Sequence, residues 1–280
     1  MEKFTVTQIE RISELNGDAA LNEQEFETAK ERDLTFREIE KKLSRQARQE
    51  IKELLDEKHV TDSVATGHKL EEWLQGEGYT KVVTPTIVTR EMLSKMSLTA
   101  GHALLDQVFW VDKNKALRPM HAPNLYIVMR ELHRITNAPV KIYEIGSCFR
   151  KESQGAQHLN EFTMLNCVEL AAIEDGKQMD ELIRLAKEAM KVLGVPEEEY
   201  KLVTEESTVY GSTLDIEING MEVASGSFGP HFLDAEWGVT DTWVGIGFGI
   251  ERLTMALNKG RTIKRYGRSI TFIDGKPMSI

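Results

Sequence analysis

The sequence predicts an α+β fold: an antiparallel sheet with helices packed on it, preceded by a helical N-terminal extension. Three observations carry this. Residues 1 to about 60 are rich in Glu, Lys, Arg, Gln and Leu and poor in glycine, which favours helix. Beyond about residue 80, strand-like runs outnumber helical ones and mostly follow each other directly. Strands met in succession, without a helix between them, favour antiparallel pairing over a doubly wound parallel sheet.

Each element follows in order. Ile9, Ile12 and Leu15 make one short apolar stripe, and Ile39, Leu43, Ile51, Leu54 and Leu55 make others. Thr61 or Asp62 caps the next helix, which runs through Trp73 and Leu74 and stops at the Gly76/Gly78 pair. "KVVTPTIV" (81–88) is β-branched with Pro85 in its middle, so it belongs at an edge or bulge. "DQVFWVDKNKALRP" reads as two strands joined by a tight polar turn. "APNLYIVMRELHRI" (122–135) is an amphipathic helix with Pro123 in its first turn. "VKIYEIGSCFRKE" and "NEFTMLNCVEL" are strands flanking a polar loop, and 175–193 is an amphipathic helix ending near Gly194 and Pro196. "LDIEINGMEVASGSFG" is a hairpin turning at Asn219-Gly220. "WVGIGFGIERLTMAL" is a glycine-rich strand passing into a helix, and a basic hairpin ends the chain.

Composition narrows the classes. A chain of 280 residues can bury one or two cores. "MEKFTVTQIE" has no basic n-region followed by an apolar h-region, so secretion is not expected. No apolar stretch approaches the ~20 residues of a membrane span. Cys148 and Cys167 sit in hydrophobic segments and read as buried free thiols of a reducing cytoplasm. His and Cys do not cluster at ligand spacing, so no structural zinc is expected. A net charge of −10 argues against indiscriminate nucleic-acid binding, yet the charge is uneven. "KKLSRQARQEIK" and the Lys259, Arg261, Lys264, Arg265, Arg268 group are locally basic. The first run reads as a solvated helix face when taken alone.

Two stretches could carry chemistry. In "GIGFGIER" the spacing is G-x-G-x-G and no βαβ unit follows, which speaks against a dinucleotide fingerprint. Gly245, Gly247 and Gly249 alternate, so one face of a strand is bare, and Arg252 falls in the first turn of the helix after it. A planar ligand could lie on that face with Arg252 on its phosphate; close helix packing and a surface ion pair account for the same residues. In "FRKESQGAQHLNEFTMLN", Arg150 and Glu152 stand at the mouth of a hairpin, with His158 in its loop. A guanidinium there can grip an α-phosphate and a carboxylate can accept from an adenine amino group, although a solvated turn with a salt bridge would look the same.

Order and spacing combine these pieces. "GYTKVVTPTIV", "FRKE…EFTML" and "GFGIER" resemble, in that order, the three signature motifs of class II aminoacyl-tRNA synthetases. "LRPMHAPNLY", "IGSCFRKESQGAQHLNEFTMLN", "VYGSTLDI" and "WVGIGFGIERL" resemble the pyrrolysyl-tRNA synthetase family from about residue 25 to the C-terminus. The resemblance implies a class II antiparallel sheet, a catalytic domain over 61–280 and a helical tRNA-contacting region over 1–60. It implies catalytic Arg150 and Arg252, and ATP contacts from Arg150, Glu152, His158, Leu159, Phe162, Glu222, Ser225, Gly249 and Arg252, with Glu222 and Ser225 also holding Mg²⁺. It implies an amino-acid pocket of Ala122, Leu125, Tyr126, Met129, Asn166, Val168, Tyr210, Trp243 and Gly245, with Asn166 reading a side-chain carbonyl; plain core packing accounts for the Tyr126 and Met129 stripe as well.

The implied activity is ATP-dependent attachment of pyrrolysine, or an Nε-acyl lysine analogue, to tRNA(Pyl) by a homodimer in the cytoplasm without membrane association. A ligase for another amino acid and a non-catalytic tRNA-binding paralogue are the alternatives. Three departures stand out. His121 replaces the family's usual leucine, and Ser227 and Phe228 differ from its small apolar residues. The family's separate N-terminal tRNA-binding domain is expected to be absent, or to be supplied by another polypeptide.

Overall fold

Two threonines open the N-terminal helices. The computed structural model describes residues 1–151, 158–207, 209–260 and 262–280. After β1 (Glu2–Lys3), Thr5 caps α1 (Val6–Glu14) in a reciprocal box with Gln8. After β2 (Glu25–Phe26), Thr28 accepts from the Glu31 N–H and starts α2 (Ala29–Asp56). The apolar stripes meet: Phe4, Ile12 and Phe26 form a small core against Ile9, Phe36, Ile39 and Leu43. Leu55 lies outside it, 69% exposed. The compact units divide at 62/63 and again at 263/264, so residues 264–280 cluster with 1–62. The expectation from sequence drew one line near residue 60.

The unit spanning 63–263 begins within α3 (Asp62–Gly76). It continues through β3 (Thr80–Lys81), β4 (Ile87–Thr89), α4 (Arg90–Lys95), α5 (Ala103–Asp106), β5 (Lys115–Leu117) and α6 (Ala122–Thr136). Then come β6 (Val140–Phe149), β7 (Glu161–Leu170), α7 (Gln178–Val192), β8 (Tyr200–Ser207), β9 (Gly211–Ile218) and β10 (Met221–Gly229). Last are α8 (Asp234–Trp237), β11 (Trp243–Gly249) and α9 (Ile250–Leu257); β12 (Phe272–Ile273) and β13 (Lys276–Pro277) form a hairpin of the other unit.

Seven strands form one sheet in the order β3-β6-β7-β11-β10-β9-β8, antiparallel throughout except for the β3–β6 pair. The fold is therefore the expected α+β sheet flanked by helices. Asn219 and Gly220 both take positive φ, as a two-residue hairpin turn requires. Leu182, Leu185, Ala186 and Met190 of α7 are fully buried against one face of the sheet, with Leu182 lying on Gly226. Tyr126 and Met129 of α6 are buried above the other.

Three segments differ from expectation. Val82 still donates its N–H to the Tyr143 carbonyl of β6, and residues 83–86 then leave the sheet, because the Thr84 N–H and hydroxyl both donate to the Glu144 side chain and Pro85 has no N–H for a ladder. The pair expected over 106–119 is reduced to a bridge between Trp110 and Ala116, while β5 pairs with β4 instead. Asp112 still makes the polar turn, accepting from the N–H groups of Asn114 and Lys115. Strand β8 was not foreseen: "YKLVTEES" has a weak alternation, and its glutamates suit an edge strand.

Beneath α6 lies a buried ion pair. Arg118 Nη1 stands 2.7 Å from Glu144 Oε1, with both side chains at most 4% exposed. Arg118 Nε donates to the Ser147 carbonyl, and Asn124 donates to the Thr84 hydroxyl and the Pro85 carbonyl. Removing the carboxylate strands a guanidinium in the core, so Glu144→Ala should lower stability by about 3–5 kcal/mol in urea unfolding. A loss below about 1 kcal/mol would show that water reaches Arg118.

Candidate active site

Alternation along β11 shapes a cavity. Trp243, Gly245, Gly247 and Gly249 share one face and pair with Leu170, Val168, Asn166 and Met164 of β7. Above them lies a cavity of about 570 Å³, closed on one side by Ala122, Leu125, Tyr126 and Met129 of α6. Every residue expected at the site lines it except Glu152, which lies outside the described residues: Arg150, His158, Leu159, Phe162, Glu222, Ser225, Gly249 and Arg252 together with Asn166, Val168, Tyr210, Trp243 and Gly245. Ser227, paired with Gly245, also lines it, whereas Phe228 pairs with Val244 on the opposite face.

One end is charged. The Arg150 N–H donates to the Asn160 carbonyl across the hairpin, its Nε donates to the Pro119 carbonyl at 3.0 Å, and its guanidinium lies over the Phe162 ring. Glu251 accepts from the Thr163 N–H with both carboxylate oxygens, 2.9 and 2.8 Å away, which holds the start of α9 on β7. The next residue, Arg252, thereby reaches the cavity, where Nη1 donates to the Glu222 carbonyl at 3.3 Å and stands 3.7 Å from its carboxylate. Enclosure by the cavity wall lifts the Glu222 carboxyl above the usual range; Arg252, and further off Arg150, oppose the shift and Asp215 adds to it. The Ser225 hydroxyl donates to Asp215 at 2.6 Å.

The other end is apolar and held by one acid. Asp234, 5% exposed, accepts from the Tyr126 hydroxyl, from Trp243 Nε1 and from the His231 N–H. Tyr126 stacks on Trp237 at 5.3 Å and meets Trp243 edge-on at 5.7 Å. Burial pushes the Tyr126 and Tyr210 phenols well above their ordinary range, so both stay neutral. His231 Nε2 donates to the Tyr210 carbonyl at 2.6 Å.

Asn166 sits between the two ends. His121, fully buried at the start of α6, places Nδ1 3.0 Å from Asn166 Oδ1. Burial, and then the nearby Arg118 guanidinium, push the imidazole down to about 4; Glu144 and Asn166 resist. Both thiols, Cys148 and Cys167, are buried and free, and burial pushes each up to about 12.

Sequence reasoning missed Asp215, Asp234 and Glu251. Asp215 is a polar residue alternating with apolar ones in a strand, and Asp234 falls in "HFLDAEWG"; neither context marks a buried hub. Glu251 stood inside a quoted motif, but Arg252 drew the reading.

Comparison with known proteins agrees in scope. The family model described as the class II core domain (F) of tRNA synthetases matches residues 3–274. A pyrrolysyl-tRNA synthetase structure from Desulfitobacterium hafniense is 43% identical, with a TM-score of 0.89 and full coverage of both chains. A second, of PylSc from the same organism, is 43% identical with a TM-score of 0.87, covering 100% of this chain and 96% of that one. The threonine–tRNA ligase of Acinetobacter baumannii is 28% identical over 139 residues, 46% of this chain and 21% of its own length. The chain spans 21% to 36% of the length of the curated relatives it matches.

The His121 environment has a consequence for stability. The folded imidazole titrates at about 4 against a reference of 6.5, so between those values the unfolded chain holds a proton that the folded chain does not. Stability therefore falls as pH drops through this window, and the effect vanishes above it. Between pH 7.5 and 4.5 the group should cost roughly 2 kcal/mol, seen as the difference in pH dependence between wild type and His121→Leu in urea unfolding. Parallel profiles for the two proteins would show that the folded imidazole titrates as the unfolded one does.

Proposed function

Because the chain belongs to the class II tRNA synthetases, and within them to the pyrrolysyl-tRNA synthetase family, we infer that it is a ligase joining pyrrolysine to tRNA(Pyl) with ATP. The observation that carries this reading is one cavity with Arg150 and Arg252 at its charged end and Tyr126, Asn166 and Trp243 at its apolar end. In the first step the amino-acid carboxylate attacks the α-phosphorus, the acyl–phosphate bond forms and the bond to pyrophosphate breaks. In the second, a terminal ribose hydroxyl of the tRNA attacks the activated carbonyl and AMP leaves. The carboxylate is already a competent nucleophile, so positioning and charge neutralisation supply most of the rate. Arg150 faces the α-phosphate and Arg252 the γ-phosphate in this reading.

The Glu222 carboxylate and Ser225 hydroxyl open on the cavity beside Asp215. This set of hard oxygen donors fits Mg²⁺. Glu222 and Ser225 would hold the ion, which when bound neutralises phosphate charge.

Lys41, Lys42, Arg45 and Arg48 are exposed along α2, and Lys264 and Arg268 are exposed in the same compact unit. They support a tRNA-contacting role for the N-terminal region. Exposed Val83 (85%), Val111 and Ile87 near the first signature motif support a homodimer. No helix among the described residues is long and apolar enough to cross a membrane; a cytoplasmic enzyme, with or without a separate N-terminal tRNA-binding partner, is the accompanying proposal.

ATP–pyrophosphate exchange across a panel of amino acids tests the reading. Nε-acyl lysines should support exchange while lysine, whose ammonium would be buried without a partner, should not. Activation of lysine at a comparable rate would overturn the assignment. Arg150→Ala should lower exchange by about 10²-fold or more, as loss of a preorganised charge donor does. Lys41→Glu with Lys264→Glu should weaken tRNA charging and spare exchange; equal loss in both assays would instead mark misfolding.

A further inference from the structure

Glu222 and Ser225 lie three residues apart in β10, a spacing that in a regular strand turns side chains to opposite faces. Both line the cavity all the same. The register of β10 on β9 slips between Glu222 and Ala224, and this irregularity is what lets the two side chains share one face. Ser225 pairs with Gly247 of β11 on one side and with Asp215 of β9 on the other, so Asp215 stands in the same row across the sheet and also lines the cavity. It is buried, and its one side-chain hydrogen bond among the described residues is to Ser225. A hydroxyl has one proton and two lone pairs, so where the proton goes decides what the oxygen offers elsewhere. Ser225 Oγ donates to Asp215 Oδ1 at 2.6 Å, the short distance of a hydroxyl held by a carboxylate. With its proton committed there, Oγ keeps its lone pairs for the cavity. The backbone ladder already joins β9 to β10, so the sheet does not need this side-chain bond. Asp215 and Glu222 also oppose each other as like charges, which disfavours the fold and suits a cation.

We propose that Asp215 is a positioning residue for the divalent cation: by holding the Ser225 hydroxyl proton it turns the lone pairs of Oγ to the cavity, so that Ser225 can join Glu222 as a ligand. Without that acceptor the hydroxyl is free to rotate and donate into the cavity, and it then meets a cation with its proton. Asp215 acts through Ser225, as the partners of ligating side chains do in metal sites generally. This inference rests on the reading of Glu222 and Ser225 as the Mg²⁺ site.

The test is ATP binding, followed by calorimetry without amino acid so that nothing turns over, once in Mg²⁺ and once in a chelator. The readout is the factor by which Mg²⁺ tightens ATP. Asp215→Ala should shrink that factor by about tenfold or more, the usual loss when the partner of a ligating side chain is removed. Asp215→Asn, whose amide oxygen still accepts from the hydroxyl, should keep it within about threefold of wild type. Ser225→Ala should lose at least as much as Asp215→Ala. The double variant should lose no more than Ser225→Ala alone, because Asp215 then has nothing to act through. A structural role alone would weaken ATP in Mg²⁺ and in chelator alike and leave the factor unmoved, which overturns the proposal. Losses that add in the double variant overturn it too, since Asp215 would then act on the ion directly, as does an asparagine variant no better than alanine. If Asp215→Ala does not fold, Asp215→Leu, with the branching of aspartate and no acceptor, takes its place in the comparison. Wild-type ATP binding that is the same in Mg²⁺ and in chelator would instead overturn the Mg²⁺ assignment of Glu222 and Ser225, and this inference with it.

Discussion

A side chain at Gly247 would need the volume that Asn166 Nδ2 and Met164 Cε occupy, and this close approach of a bare strand to its neighbour is what the site depends on. The other two glycines differ in kind. At Gly245 a Cβ would meet only ordinary contacts, the nearest being the Cys167 carbonyl at 3.4 Å, and at Gly249 the nearest atoms are 3.8 Å away. The protein alone could accommodate alanine at both. Their bareness is thus of use to whatever lies on the strand, whereas a Cβ at Gly247 would displace the ends of the Asn166 and Met164 side chains, both of which line the cavity.

The face they share is graded along its length. From Trp243 to Gly249 the strand covers roughly 20 Å at the usual rise per residue, enough for an amino acid and a nucleotide end to end. Each end is fixed by a buried carboxylate that takes its donors from rigid groups. Glu251 is bound twice by the Thr163 N–H, and Asp234 receives a phenol, an indole and a backbone amide. Acids are suited to this because several donors converge on one group and offset its desolvation. Asp234 thereby orients two aromatic walls at once, and Glu251 sets where Arg252 enters.

Much of this was legible in the sequence. Periodicity placed α2, α6, α7 and the β9–β10 hairpin, because each buries one face and keeps its own local pattern. The alternating glycines announced the bare face, and Arg150, Asn166 and Arg252 were found through motif order. What stayed hidden was set by distant partners. Residues 83–86 depart from the sheet because of Glu144, about sixty residues further on. Strand β8 exists because β9 offers it an edge rather than through its own alternation. Asp234 and Asp215 look like ordinary surface acids until the chain brings hydroxyl, indole and amide donors to them. His121 stood out only as a departure, and its contact with Asn166 joins residues on a helix start and a strand.

An acidic chain that handles a polyphosphate raises an electrostatic question, and distance answers most of it. With a screening length of about 8–10 Å in physiological salt, carboxylates spread over the surface contribute little inside the cavity. What matters there is Arg150 and Arg252, and both are tied to backbone carbonyls, of Pro119 and Glu222. Carbonyl anchors direct a guanidinium without themselves neutralising it; Arg252 also stands 3.7 Å from the Glu222 carboxylate, a looser contact than the 2.7 Å pair of Arg118 and Glu144 beneath α6. Much of the entropy of holding these long side chains is lost on folding rather than on binding, which is the condition for a preorganised field in the cavity. Glu222, lifted by enclosure and drawn down by both arginines, is an acid of the cavity wall close enough to Arg252 to compete. In the proposed reading, Glu222 and Ser225 would hold a divalent cation, which would supply positive charge at this end of the cavity.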